Sequence, residues 1–306
     1  MKIIILFLIS LISLSAQAPK AKQADNDNHQ LWTKLSATAF SNKEFFANTK
    51  KTDPQLVKSL EDSFSQLINE KSLIKSSHTF KMKKLGVLRQ QAFHAVINNL
   101  EQKYGHTLSL EMIGLGTNFI SQHGFKVPET VTLTHHLPTA EHKQVANILD
   151  ETKELIAVVP LKFEINDETP NNLLWIRLVS KTNDLRDCVS IIERGDADPV
   201  IATPLVKDIE NTMKIMVKKQ LLEAKTYQFS INKLSPDQLT KLKKITLPLV
   251  PNYGLSTHEM TATGMIMLFY KYVPQPGYNP DQFTVYLPQP QFEQATKLLD
   301  SVKVQK

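Results

Sequence analysis

Apolar positions recur along this chain in two periods, and the change from one to the other divides it. Residues 31 to 106 read as helical. Asp53-Pro54 supplies an N-cap acceptor and a preset φ at the following position, and Leu56, Leu60, Phe64 and Leu67 then form one stripe. A second stripe of Leu85, Leu88, Ala92, Val96 and Asn99 or Leu100 stops at Gly105, a residue suited to a helix C-terminus. From about residue 107 the pattern becomes short strands alternating with helices. Val131 to Thr134 alternates with period two, Pro138-Thr139 opens a helix, and strands are expected at 156–165 and 173–180. A helix with Leu185, Cys188, Val189 and Ile192 on one stripe follows, ending at Gly195.

A long helix from Pro204 to about Lys225 then leads to a second stretch of the same kind. It has a strand at Phe229 and Ile231, a capping box at Ser235 and Gln238, strands at 264–272 and 283–287, and a last helix with Ala295, Leu298, Leu299 and Val302. The fold class expected is α+β, a helical N-terminal region followed by two small β-α-β-β-α modules. The divisions are a polar leader at 19–30, a helical region at 31–106, a first module at 107–200, a connecting helix at 201–225 and a second module at 226–306. The segments LPTAEHKQVANILD (137–150) and LPQPQFEQATKLLD (287–300) are weakly alike. They fall in different helices of the two expected modules, so the shared order of elements carries more weight than this match.

The N-terminus adds a compartment. Met1-Lys2, the apolar run Ile3 to Ser15 and Ala16-Gln17-Ala18 have the three regions of a signal peptide, residues 1–18, and the run is short for a membrane span. Export to the periplasm or beyond is the expected localisation. Without that segment, whose only charged residue is Lys2, 35 basic side chains face 30 acidic ones over 288 residues. So small an excess gives no reason to expect a nucleic-acid partner. The single Cys excludes an internal disulfide and a Cys-based metal site.

Asp167-Glu168-Thr169-Pro170-Asn171-Asn172 leading into Leu173-Leu174-Trp175-Ile176 resembles the turn-and-strand signature of the periplasmic N-domains of secretins. Asp184-Leu185, Cys188, Ile191-Ile192-Glu193 and Asp196-Ala197-Asp198-Pro199 match the helix that follows in those domains. The resemblance covers residues 129 to 200 and, in element order alone, 226 to 306. It implies ring-building or partner-binding β-α-β-β-α modules without a catalytic site. The long series of alternating strands that builds a secretin barrel is missing after the first module.

Candidate chemistry is sparse. His135, His136, Glu141 and His142 are the densest set of possible metal ligands, but His135 and His136 point to opposite faces of a strand, leaving His136, Glu141 and His142 as weak candidates and no cofactor expected. Cys188 lies on an apolar stripe, as a packed residue would. His258-Glu259 has Ala262 where a metalloprotease helix needs its second His. Lys71, Lys75, Lys81, Lys83, Lys84 and Arg89 form an acid-free basic stretch, and Tyr272 and Tyr278 flank a Pro-rich segment; both are candidate partner-binding surfaces. The function expected is an exported, non-enzymatic assembly or interaction protein of the cell envelope, with protein partners or self-association, such as a component or accessory of a secretion or pilus apparatus. The alternatives are a secreted effector or hydrolase with a site built from His94, His123 and His258, and a protein in peripheral contact with anionic lipid or cell-wall polymer.

Overall fold

The computed structural model describes residues 28–249 and 282–302, apart from gaps at 82–83, 125, 127, 151, 156–157, 159–161, 194–201 and 231–232. The chain is α+β with helices leading, as its periodicity indicates. Helix α1 spans 28–49 and α2 Pro54–Asn69, the latter capped by Asp53, whose carboxylate accepts from the Gln55 N–H at 2.8 Å. Strand β1 (Ile74–Lys81) follows, then α3 (Val87–Tyr104), α4 (His106–Ile113) and α5 (Thr117–His123), β2 (Thr130–Leu137) and α6 (Thr139–Leu149). Beyond a loop come α7 (Asn171–Glu193), α8 (Ala202–Lys218), β3 (Glu223–Tyr227) and α9 (Pro236–Thr246), which runs into the 3-10 turn Leu247–Leu249. Strand β4 (Phe283–Leu287) and α10 (Gln289–Asp300) complete the described chain.

These elements form one unit used twice, and its boundaries differ from those the periodicity suggested. Residues 28–150 and 171–300 share the order helix, helix, strand, helix, then strand and helix, around an antiparallel two-stranded ribbon. Ribbon registers coincide: Ile74 pairs with Leu137 as Glu223 pairs with Leu287, and the cross-strand hydroxyl pair Ser77–Thr134 (2.8 Å) recurs as Thr226–Thr284 (2.9 Å). Helices α2 and α8 both end on a non-glycine residue at positive φ, Lys71 (61°) and Gln220 (58°). The same bonds close each end: Ser72 N–H to Leu67 O, and Leu221 N–H to Met216 O.

Sequence follows structure once the two halves are matched. Leu31-Trp32-Thr33-Lys34-Leu35 of α1 answers to Leu174-Trp175-Ile176-Arg177-Leu178 of α7; Leu73, Phe80 and Leu85 answer to Leu222, Phe229 and Leu234. The Leu-Pro that precedes α6 and α10 then falls on equivalent helices, so the match between 137–150 and 287–300 is a true structural equivalence.

Two expected modules are thereby corrected. The segment 173–180 is helix, so the residues that carry the resemblance to secretin N-domains stand in a turn and a helix rather than a turn and a strand. A short continuous apolar run fits a buried strand or a helix buried on two sides, and here the second holds. Leu174, Trp175, Leu178 and Val179 enter the second lobe's core while Ile176 enters the first's, with Leu173 packed against it. Residues 106–123 are two short helices, the described part of 156–165 holds no strand, and the "connecting helix" ends at Lys218 to make room for β3. Strand β1 interrupts the expected helical region because its inward positions include Ser76 and His78, which blunt the alternation. The expected strand at 264–272, the Pro-rich segment with Tyr272 and Tyr278, residues 1–27, Lys83, Asp196, Asp198, His258 and the side chain of Cys188 lie outside the described residues.

The lobes meet where α1 and α3 face α7. His29 stacks on Trp175 at 5.2 Å, and Arg177 holds Asp208 at 2.7 and 3.0 Å while donating to Gln102 O at 3.2 Å. Gly105 has φ 78°, and a Cβ there would stand 1.9 Å from Ser180 Oγ of α7. Gly105→Ala should therefore lower stability by about 2 kcal/mol or more, from the positive φ and the collision together. Ile176→Ala should cost about 2–5 kcal/mol. Urea unfolding followed by circular dichroism measures both.

Candidate functional site

The first lobe's ribbon has two chemically different faces, because neighbouring residues of a strand point in opposite directions. Inward, His78 and His135 join Phe80, Val131, Leu133 and Leu137. Outward stand Lys75, Ser77, Thr79, Thr132, Thr134 and His136. The outward face closes one side of a cleft of about 540 Å³, with α2 on another side and the α4–α5 corner on a third. That volume lies within the range of about 300–1,000 Å³ typical of small-ligand sites.

Helix α2 contributes Glu61, Phe64 and Ser65 to the cleft, α5 contributes Asn118, Phe119 and His123, and the ribbon contributes Lys75, Thr132, Thr134 and His136. Gly114 lets the corner approach the ribbon: its φ is 82°, and a Cβ would lie 2.4 Å from Thr134 O. Glu111, at the back, accepts from the Thr117 N–H at 2.8 Å and so caps α5. Burial raises its carboxyl pKa, opposed by those bonds. His136 lies flat against Phe64, ring centroids 4.3 Å apart, with its buried Nδ1 unpartnered. Burial, and then the charge of Lys75 beside it, pull its pKa down to about 4, so it is neutral near pH 7. The cleft thus offers a cation, neutral imidazole, hydroxyls, amide and carboxylate groups around two phenyl rings.

Behind the ribbon three imidazoles touch. His78 and His135 are stacked at 5.2 Å with 3° between their planes, and His135 Nε2 meets His142 Nδ1 at 3.1 Å. Only one nitrogen of that pair can carry the shared hydrogen, so the contact holds while at least one ring is neutral. The pKa of His135 is depressed to about 4, by burial first and then by His78, His142 and His136. That of His78 falls through burial, then the charge of His142.

The structure separates the expected metal candidates. His142 meets His135 and not His136, which faces the cleft, and Glu141 is buried on Lys103 at 2.6 Å. Among the described residues no group of three or more His, Cys, Asp or Glu is arranged to hold a metal ion. His94, on α3, and His123, which lines the cleft, are not brought into a common site. The basic stretch is also divided. Lys71 sits in the turn after α2, Lys75 lines the cleft, Lys81 and Lys84 are exposed at the β1–α3 turn, and Arg89 is spent on α6, donating to Asn147 O, Ile148 O and Lys153 O. Such a clamp satisfies carbonyls at a helix C-terminus, where positive charge is favoured. Periodicity misses the cleft's Glu61, Phe64, Asn118 and Phe119, because residues from four elements converge there with no common spacing.

Comparison of the lobes shows which groups the fold requires. His78, His135 and His142 correspond to Tyr227, Val285 and Phe292, all packed in or against the second core. Lys75, Phe64 and His136 of the cleft correspond to Ala224, Met213 and Tyr286. The first lobe carries eight of the chain's nine histidines. The ribbon folds without them in its duplicate, so their presence is a property of the first lobe and not of the architecture.

These buried neutral rings make stability depend on pH. Unfolded histidine protonates near its ordinary value of 6.5, whereas His135 and His136 resist to about 4, so the unfolded state binds more protons between the two. Stability should be complete above about pH 6.5 and decline as pH falls toward about 4. His135→Val, the residue of the second lobe, should flatten that decline; melting temperatures from pH 7.5 to 4 measure it. No family model, curated protein or solved structure matches this chain, which makes its own second lobe the reference for the first.

Proposed function

We propose that the protein is an exported, non-enzymatic binding component of the cell envelope, in which the cleft of the first lobe recognises a partner and the second lobe is its scaffold. The observation that carries this reading is where the duplicates diverge. Many apolar core positions keep their character, as at Phe80 and Phe229, Leu85 and Leu234, or Leu137 and Leu287, while the ribbon wall of the cleft changes from Lys75 and His136 to Ala224 and Tyr286, and the histidines behind it replace Tyr227, Val285 and Phe292. Divergence on one concave, polar and aromatic wall is what specialisation of one copy for recognition would leave. The signal-peptide pattern of residues 1–18 supplies the compartment.

A secreted hydrolase is the competing reading, and the presence of Glu61, Glu111 and His136 in one cleft favours it. Against it, the Glu111 carboxylate is already engaged as the cap of α5.

A photoreactive residue at Ser65, an exposed position on the cleft rim, tests both in intact cells. A discrete adduct is expected from Ser65 and lost in Lys75→Glu/His136→Ala, with none from the same label at Thr296 of α10. Adducts unaffected by the double substitution, or no adduct at all, would remove the recognition role from the cleft. Turnover of ester, glycoside or peptide substrates that Glu61→Gln abolishes in a folded protein would establish the hydrolase instead.

A further inference from the structure

The turn between β1 and α3 breaks two local rules that its counterpart keeps. Before α9, Ser235 and Gln238 form a complete capping box, with Gln238 N–H to Ser235 Oγ at 3.2 Å and Ser235 N–H to Gln238 Oε1 at 2.8 Å; Pro236 and Asp237 fill the first turn. The matching residues, 149 positions earlier, are Gly86-Val87-Leu88-Arg89. Gly86 gives α3 no side-chain cap, and Val87 and Leu88 are 69% and 71% exposed. Nothing in the backbone requires this. Gly86 has φ −54°, and a Cβ there would meet nothing within 4 Å.

The surroundings are basic. Lys84, Val87, Leu88 and Leu155 rim an open depression of about 520 Å³. Lys81 and Lys84 are exposed and form no ion pair among the described residues, and Arg89 spends its donors on uncharged carbonyls, so its charge is not neutralised. Glu154, beside Leu155, is exposed and opposes them in part; Asp150 is paired with Lys153.

We propose that this turn is a membrane-contact knuckle. Val87 and Leu88 enter the apolar edge of an anionic bilayer surface, Lys81 and Lys84 face its headgroup phosphates, and Arg89, held on the end of α6, adds its charge from behind. Two exposed aliphatic side chains at a helix start are far below the roughly 1,000 Å² that a specific protein interface needs, whereas a fluid bilayer needs no complementary shape. Unpaired lysines beside them match the charge of such a surface. The contact is peripheral, and among the described residues no helix is long and apolar enough to cross a membrane.

Transplanting the second lobe's turn tests this. Gly86→Ser/Val87→Pro/Leu88→Asp restores a capped helix start, so its melting temperature should equal or exceed that of the parent protein. Sedimentation with phosphatidylcholine vesicles, with and without phosphatidylglycerol, reads binding. The parent is expected to bind the anionic vesicles about tenfold or more better than the neutral ones, the transplant to lose about tenfold, and Lys81→Glu/Lys84→Glu to lose the anionic preference. Equal binding of the parent to both vesicle types, or undiminished binding of the transplant, would overturn the proposal. Retention of an acidic protein by the parent and not by the transplant, with no vesicle binding, would replace the bilayer by a protein.

Discussion

Helix α7 lies between two hydrophobic cores and belongs to both. Its Leu174, Trp175, Leu178 and Val179 complete the second lobe, while Ile176 enters the first and Leu173 packs against it. Burial on two sides makes the run from Leu173 to Val179 almost wholly apolar, and it fixes how the lobes meet, through Gly105 against Ser180, His29 on Trp175 and Arg177 on Asp208 and Gln102. Helix α3, which packs on α7 at that junction, also carries α4 and α6. Dispersion and burial dominate here, and the part-buried Arg177–Asp208 pair adds orientation more than net stability.

Duplication separates what the architecture needs from what one lobe has acquired. The ribbon register, the helix ends at Lys71 and Gln220 and the hydroxyl ladder are kept. Three positions packed in or against the core changed between aromatic or aliphatic residues and histidine, which carries a cost in acid at His135, whose burial disfavours its charged form. Nearby, a polar capping box and an exposed aliphatic pair occupy equivalent helix starts. Cleft, imidazole stack and aliphatic turn all lie in the first lobe, and they border the same ribbon: its outward face, its inward face and the turn that leaves its first strand.

Much of the secondary structure was legible. The Asp53-Pro54 start, the Gly105 stop, β2, the Ser235 capping box, β4 and α10 all stand where local signals placed them, because caps and clean alternation act within a few residues. Strand β1 was hidden by polar inward residues, and the first half of α7, 173–180, read as a strand before a separate helix because a helix buried on two sides loses its polar stripe. Those two elements set the repeat boundaries, so the kinship of 137–150 with 287–300 is visible only once both are placed. The cleft was not legible at all. Its residues come from α2, β1, β2 and the α4–α5 corner, and no spacing along the chain encodes that convergence.

By itself the sequence determined the α+β class, most helix ends and, with a single Cys, that no internal disulfide staples the fold, since each depends on residue type and near neighbours. Tertiary structure alone decided which basic side chains are spent, as Arg89 is on the end of α6, and which histidines touch. It also decided that His135 and His136, adjacent in the chain, serve opposite faces of one ribbon, one in a core and one in a cleft. Those outcomes depend on contacts between residues about 60 positions apart, whose energies no local pattern records.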